Sequence, residues 1–199
     1  MRNEPTLIKF GAVVFVLIES LLLVANGQSP SPAPSSAKAS HSMLPRKVVV
    51  PISAVNRFFP EVTREASTGR NSTAVANAKA TRSVIYANSD SSRKVTISVD
   101  QYPTASDASS AYQEAVAKSK TVPGFKPVPA ENLGQDAFVG TVTQGGETHI
   151  GLGALHGTLI VGATLAGYDP KPENTANLIS LTREEERAAK AATDRNRQK

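Results

Sequence analysis

The chain has 199 residues, 22 Lys/Arg against 17 Asp/Glu for a net charge of +5, and no cysteine. Its length suits one compact domain. The lack of cysteine excludes disulfides, thiolate metal centres and a cysteine-linked lipid anchor. The basic excess lies early: residues 28–99 hold ten Lys/Arg and three Asp/Glu, whereas residues 100–199 hold ten and twelve. Scattered charge of this kind reads as a solvated face, with attraction to an anionic envelope surface as the alternative.

Phe10 to Ala25, FGAVVFVLIESLLLVA, is an apolar run behind Arg2 and Lys9 and ahead of Ala25-Asn26-Gly27. A basic start, an apolar centre and small residues at the cut make a secretory signal over 1–27. The rival is an N-terminal anchor, which would leave the chain in the inner membrane. About 20 apolar residues are needed to span a bilayer, and Glu19 would be costly at its centre, so cleavage before Gln28 is the better reading. The chain is therefore expected to be exported, to a periplasm or to the medium.

Residues 28–45, beginning QSPSPAPSSAKASHS, are too poor in large apolar groups to offset the entropy of folding and read as a disordered tether. The single domain is placed at 46–182. Ile52, Val55, Phe58 and Phe59 recur at helical spacing up to Pro60, so the spacing predicts a short helix. Ala66 to Lys79 reads as a loop. Runs 83–88 and 94–102 read as a hairpin in which Val95, Ile97 and Val99 meet a core while Thr96, Ser98 and Asp100 meet water. Thr104 with Asp107 resembles a capping box and starts a helix with Ala105, Ala108, Ala111, Tyr112, Ala115 and Val116 on one stripe.

Three strands follow, at about 136–143, 147–155 and 158–166, with Gly145-Gly146 and His156-Gly157 as two-residue turns. A helix after Asp169-Pro170 should bury Leu178, Ile179 and Leu181. Thr182 with Glu185 forms a second capping box, so residues 183–199 read as a charged C-terminal helical tail. The fold class is then α+β: a mostly antiparallel five-stranded sheet with helices packed on one face, in the order αββα-βββα.

With those turns, Gly140 should face Gly151 and Gly151 should face Gly162, on the sheet face that also carries Phe138, Val142, His149, Gly153, Ile160 and Thr164. Glycine weakens a strand, so such a row marks close approach by another backbone or by a ligand. One reading packs the Ala-striped helix into the groove. The other makes it a trough for a small ligand, with Phe138, Gly140, His149, Gly151, Gly162 and Thr164 as the candidate binding residues.

No catalytic, cofactor or metal set stands out. The glycines at 151, 153 and 157 fall inside a strand, so they do not form a dinucleotide loop. His149 and His156 do not converge on a metal. Asn71-Ser72-Thr73 is a glycosylation sequon only in a host that glycosylates. Nucleic acid is disfavoured as a partner, since no aromatic-basic interleaving is present. Asn132-Leu133-Gly134-Gln135-Asp136-Ala137-Phe138 resembles the GLGDxAF segment in the extracellular sensor domain of mycobacterial PknH-type kinases and in related small exported envelope lipoproteins. Asn132 and Gln135 stand where that segment has Gly and Asp, and the order of elements over 80–199 is similar as well. Taken together, the sequence reads as a non-catalytic exported envelope domain that binds a small ligand, an envelope component or a protein partner such as a membrane protein. The alternatives are an accessory envelope protein without a ligand and, third, a hydrolase.

Overall fold

A computed structural model describes residues 42–71, 77–128, 136–144 and 146–197. The signal, most of the tether, Ser72-Thr73, Gly145 and Asn132 to Gln135 lie outside the described residues. Strand β1 (Ser42–Met43) leads into a 3-10 turn at Arg46–Val48 and helix α1 (Ile52–Phe58). Strands β2 (Arg64–Gly69), β3 (Ala80–Ala87) and β4 (Lys94–Gln101) precede helix α2 (Ala105–Lys120). Strands β5 (Lys126–Val128), β6 (Asp136–Gln144), β7 (Glu147–His156) and β8 (Leu159–Ala166) then run into helix α3 (Pro172–Arg197).

The expected α+β class holds, but the sheet has eight strands rather than five, in the spatial order β1-β3-β4-β8-β7-β6-β5 with β2 also on β3. The added strands carry weak sequence signals. Strand β2 has no apolar alternation, being almost wholly exposed, and is held by pairing to β3 with an irregularity between Glu65 and Ser67. Strand β5 is Lys-Pro-Val at the far edge, where proline's missing N–H is tolerated. Among the described residues only β1 pairs in parallel, and the other pairings are antiparallel.

The helices occupy both faces of the sheet, not one. Val95, Ile97, Val99, Val139, Ile150, Leu152, Val161 and Leu165 form a core with α1 and with Leu178, Leu181, Ala189 and Ala192 of α3. On the opposite face, Ala108, Ala111, Tyr112 and Ala115 of α2 pack with Tyr102, Leu155 and Ile160. Thr104 caps α2 as its sequence predicts, its Oγ1 accepting the Asp107 N–H at 3.1 Å. Thr182 and Glu185 do not start a second helix. They lie buried inside the continuous α3, where Thr182 Oγ1 donates to the Leu178 carbonyl at 2.8 Å.

The β6–β7 pairing is the predicted one, with Gly140 opposite Gly151. The next turn is not: Gly157-Thr158 makes the bend, so Gly151 faces Thr164 and Gly153 faces Gly162. Gly157 has φ 59°. That suits the first central position of a type II′ turn, which matches strand twist, and leaves His156 to pair as the last residue of β7. The register thus moves by two residues. An even shift leaves every side chain on its expected face.

Candidate functional site

Strand alternation puts Phe138, Gly140, His149, Gly151, Gly162 and Thr164 on the α2 side of the sheet, together with Gly153. Two rows cross it. In one, Gly140, Gly151, Thr164 and Thr96 are successive cross-strand neighbours; in the other, Phe138, Gly153, Gly162 and Ser98 are. Four glycines in two facing pairs therefore make the floor, instead of three in one line. The Phe125 ring is seated over Gly140, where any Cβ would overlap its Cε2 and Cζ, and it stacks on Phe138 with ring centroids 5.3 Å apart. Helix α2 covers the end near Leu155 and Ile160.

Along β4 this face presents Lys94, Thr96, Ser98 and Asp100, and Tyr102 lies just beyond the strand. Thr96, Ser98 and Asp100 were expected to meet water, yet they are only 5, 4 and 7 % exposed, and Tyr102 is 2 % exposed. The reason is tertiary. A polar alternation marks a solvent face only if nothing is laid over it, and here the sheet is covered on both sides. Thr164 is equally buried.

His149 is 1 % exposed, and among the described residues neither ring nitrogen has a hydrogen-bond partner. Its Nε2 stands 3.8 Å from Glu147 Oε2, beyond hydrogen-bond reach. Burial lowers the imidazole pKa; the Glu147 charge opposes this and the Lys94 charge adds to it. The ring is therefore neutral near pH 7, with one nitrogen a donor and the other an acceptor. The Tyr102 hydroxyl, at the far end of the β4 stripe, is likewise buried without a partner.

Asp100 is held differently. Asn71 Nδ2 donates to Oδ1 at 3.1 Å and Oδ2 at 2.9 Å, while Asn71 N–H donates to Thr81 Oγ1 at 3.1 Å. Burial pushes the Asp100 carboxyl up to about 7, with the Asn71 bonds pulling the other way. The same contacts bury Asn71, so the folded chain does not present its sequon nitrogen. Asp100 and the β4 residue beside His149's row, Lys94, are six residues apart along one strand, or about 20 Å. His149 and Asp100 consequently do not form an acid–base pair.

Sequence reasoning placed the glycines and His149 on one face but missed the contributions of Phe125, Thr96, Ser98, Asp100 and Tyr102. The run Lys94, Thr96, Ser98, Asp100, Tyr102 was visible as a polar stripe; its burial was not. No group of three or more His, Asp or Glu able to hold a metal occurs among the described residues.

No family model and no curated protein sequence matches the chain. Among solved structures, the extracellular domain of PknH from Mycobacterium tuberculosis superposes with a TM-score of 0.54. The identity is 12 %, over 70 % of this chain and 93 % of that one. LpqN of the same organism, described as involved in cell envelope biogenesis, gives a TM-score of 0.32 at 14 % identity. That match covers 61 % of this chain and 76 % of LpqN, and it is too slight to carry an argument. The resemblance to the PknH extracellular domain thus stands at the level of the fold. No helix among the described residues is long and apolar enough to cross a membrane.

Proposed function

We propose that the chain is an exported, non-catalytic cell-envelope domain that binds a small ligand on the glycine-rich face of its sheet. The observation that carries this reading is His149, an imidazole with two unpartnered nitrogens buried beside a floor of Gly140, Gly151, Gly153 and Gly162. Leaving buried polar atoms unpaired costs about 1–3 kcal/mol each, a burden that a bound molecule would relieve. Phe138 and Thr164 border the same floor. Residues 1–27 serve as the export signal and those from 28 as a tether that ends where β1 (Ser42–Met43) joins the sheet and Leu44 enters the core. The likeness to an extracellular domain supports the address.

A second reading, an accessory envelope protein without a ligand, draws on the Phe125 ring over Gly140 and on α2, which already fill part of this face. Cell fractionation followed by a thermal-shift screen against envelope lipids and small metabolites separates the two. Reproducible stabilisation by one compound, lost in His149→Ala, supports the binding site. Silence across the panel in a correctly exported protein favours the accessory role.

A further inference from the structure

We infer that residues 42–51, which run from β1 to the start of α1, form a strap that opens as a unit while the rest of the sheet stays folded, with Glu185 as its proton-operated latch. The strap is the first part of the chain to enter the core after the tether. Leu44, Val48, Val49 and Val50 are buried there, and α3 packs on its 3-10 turn. Strand pairing holds only its start: Ser42 and Met43 pair with β3, and the Leu44 N–H donates to the Thr81 carbonyl at 3.0 Å. Beyond that point side chains fasten it. Arg82 Nε of β3 donates to the Leu44 carbonyl at 2.7 Å, and the Tyr86 hydroxyl of β3 donates to the Val50 carbonyl. The Val50 N–H donates to Glu185 Oε2 of α3 at 2.8 Å. Val50 is thus clamped by two elements, just before the Pro51 N-cap of α1.

Two features separate this opening from unfolding of the whole domain. An open cleft of about 420 Å³ lies beside Val50 and Pro51, bounded also by Ser53, Ala54, Arg57 and Glu184, so the end of the strap has solvent and room next to it. Helix α1 has fastenings of its own. Val55 and Phe59 are buried, and Asn177 Nδ2 of α3 donates to the Phe58 carbonyl at 3.2 Å. The strap can therefore swing about Pro51 while α1 and the β3–β4 pairing stay in place. Glu185 is fully buried, and among the described residues its Oε1 has no partner. Facing it are Arg46 of the strap and Tyr86 of β3, with Glu65 of β2 bonded to Arg46. Glu184, its neighbour on α3, pairs with Arg57 of α1. Burial outweighs the Val50 bond and the Arg46 charge, so the closed strap keeps Glu185 protonated near neutral pH, whereas the open strap lets water stabilise the carboxylate. Opening becomes easier as pH rises. At about 3.4 Å per residue, the freed strap adds up to about 34 Å to the reach of the tether.

Hydrogen exchange on the exported chain across a pH series, with intrinsic exchange rates divided out, tests the strap. The amides of Leu44, Val48, Val49 and Val50 should share one opening that is easier than the opening that exposes Ile97 of β4 and Leu152 of β7. Their protection should fall by up to about tenfold per pH unit from the ordinary carboxylate range to about pH 8 and level off above it, the slope of a single proton. Glu185→Gln keeps an acceptor for the Val50 N–H and should flatten that dependence at the strap alone. Tyr86→Phe releases the Val50 carbonyl and should lower strap protection severalfold with the slope unchanged, which keeps the latch testable if the glutamine variant does not fold. Strap amides that exchange only together with Ile97 and Leu152 overturn the separate opening. A slope that survives Glu185→Gln, or that is absent from both the parent chain and Tyr86→Phe, overturns the latch.

Discussion

Gly140 lies directly beneath the ring of Phe125, so a single added methyl at position 140 would occupy space that the ring edge already fills. Phe125 reaches this position from the residue just before β5, which pairs with β6 and sets Pro127 opposite Gly140. Gly140→Ala should therefore destabilise the domain by about 1–3 kcal/mol, the usual range for overpacking. Chemical denaturation of the single variants and of Gly140→Ala combined with Phe125→Ala checks this. The double variant should lose less than the sum of the singles, and strict additivity would mean that the ring is not seated on the glycine.

Asp100 gives the domain a pH dependence of definite sign. Its folded value of about 7 exceeds its ordinary value, so the folded state holds the proton more tightly than the unfolded chain. The associated stability is fully present below the unfolded value, near pH 4, and is lost as pH rises through about 7. Unfolding free energies measured across this window should fall with rising pH. Asp100→Asn, which retains an acceptor for Asn71 Nδ2, should flatten that part of the profile; an unchanged slope would mean that Asp100 is ionised and well solvated.

On the other face, Glu185 of α3 fastens the segment that follows the tether. Its Oε2 accepts the Val50 N–H at 2.8 Å, and the Tyr86 hydroxyl donates to the Val50 carbonyl. Arg46 adds bonds to the Val49 carbonyl at 2.8 Å, to Glu65 at 2.7 Å and to the Tyr86 oxygen at 2.7 Å. Burial raises the Glu185 carboxyl to about 8, against the pull of the Val50 bond and the Arg46 charge. Glu185→Ala would strand the Val50 N–H and should cost about 1–3 kcal/mol. Glu185→Gln should cost less and remove a stability loss that otherwise grows from the ordinary carboxylate range to about pH 8. Hydrogen exchange at the Val50 amide reports the same bond, and protection unaffected by Glu185→Ala would contradict it.

How far the sequence could be read follows from which interactions are local. Helix α2 was legible because Thr104, Asp107 and the alanine stripe all act within the helix and its cap. The β6–β7 register was legible because a two-residue glycine turn dictates it. The next hairpin was misread by two residues because His156 and Thr158 compete to flank Gly157, and only the required backbone angles decide between them. Strand β2 was invisible for a different reason: Arg64 to Gly69 bury almost nothing, and backbone pairing to β3 alone makes them a strand. Long-range contacts also explain the rest. Glu185 looked like half of a cap until Val50, 135 residues earlier, came beside it. Thr96 and Ser98 looked solvated until the second face of the sheet was covered.

The state of His149 is the most direct test of the account. Ring nitrogen NMR across a pH series should show a neutral imidazole at pH 7, titrating below the ordinary histidine value, with nitrogen shifts that move when a ligand binds. A His149 that titrates at or above the ordinary value, or whose nitrogens show strong hydrogen bonds in the free protein, would contradict the claim that this buried ring is waiting for a partner.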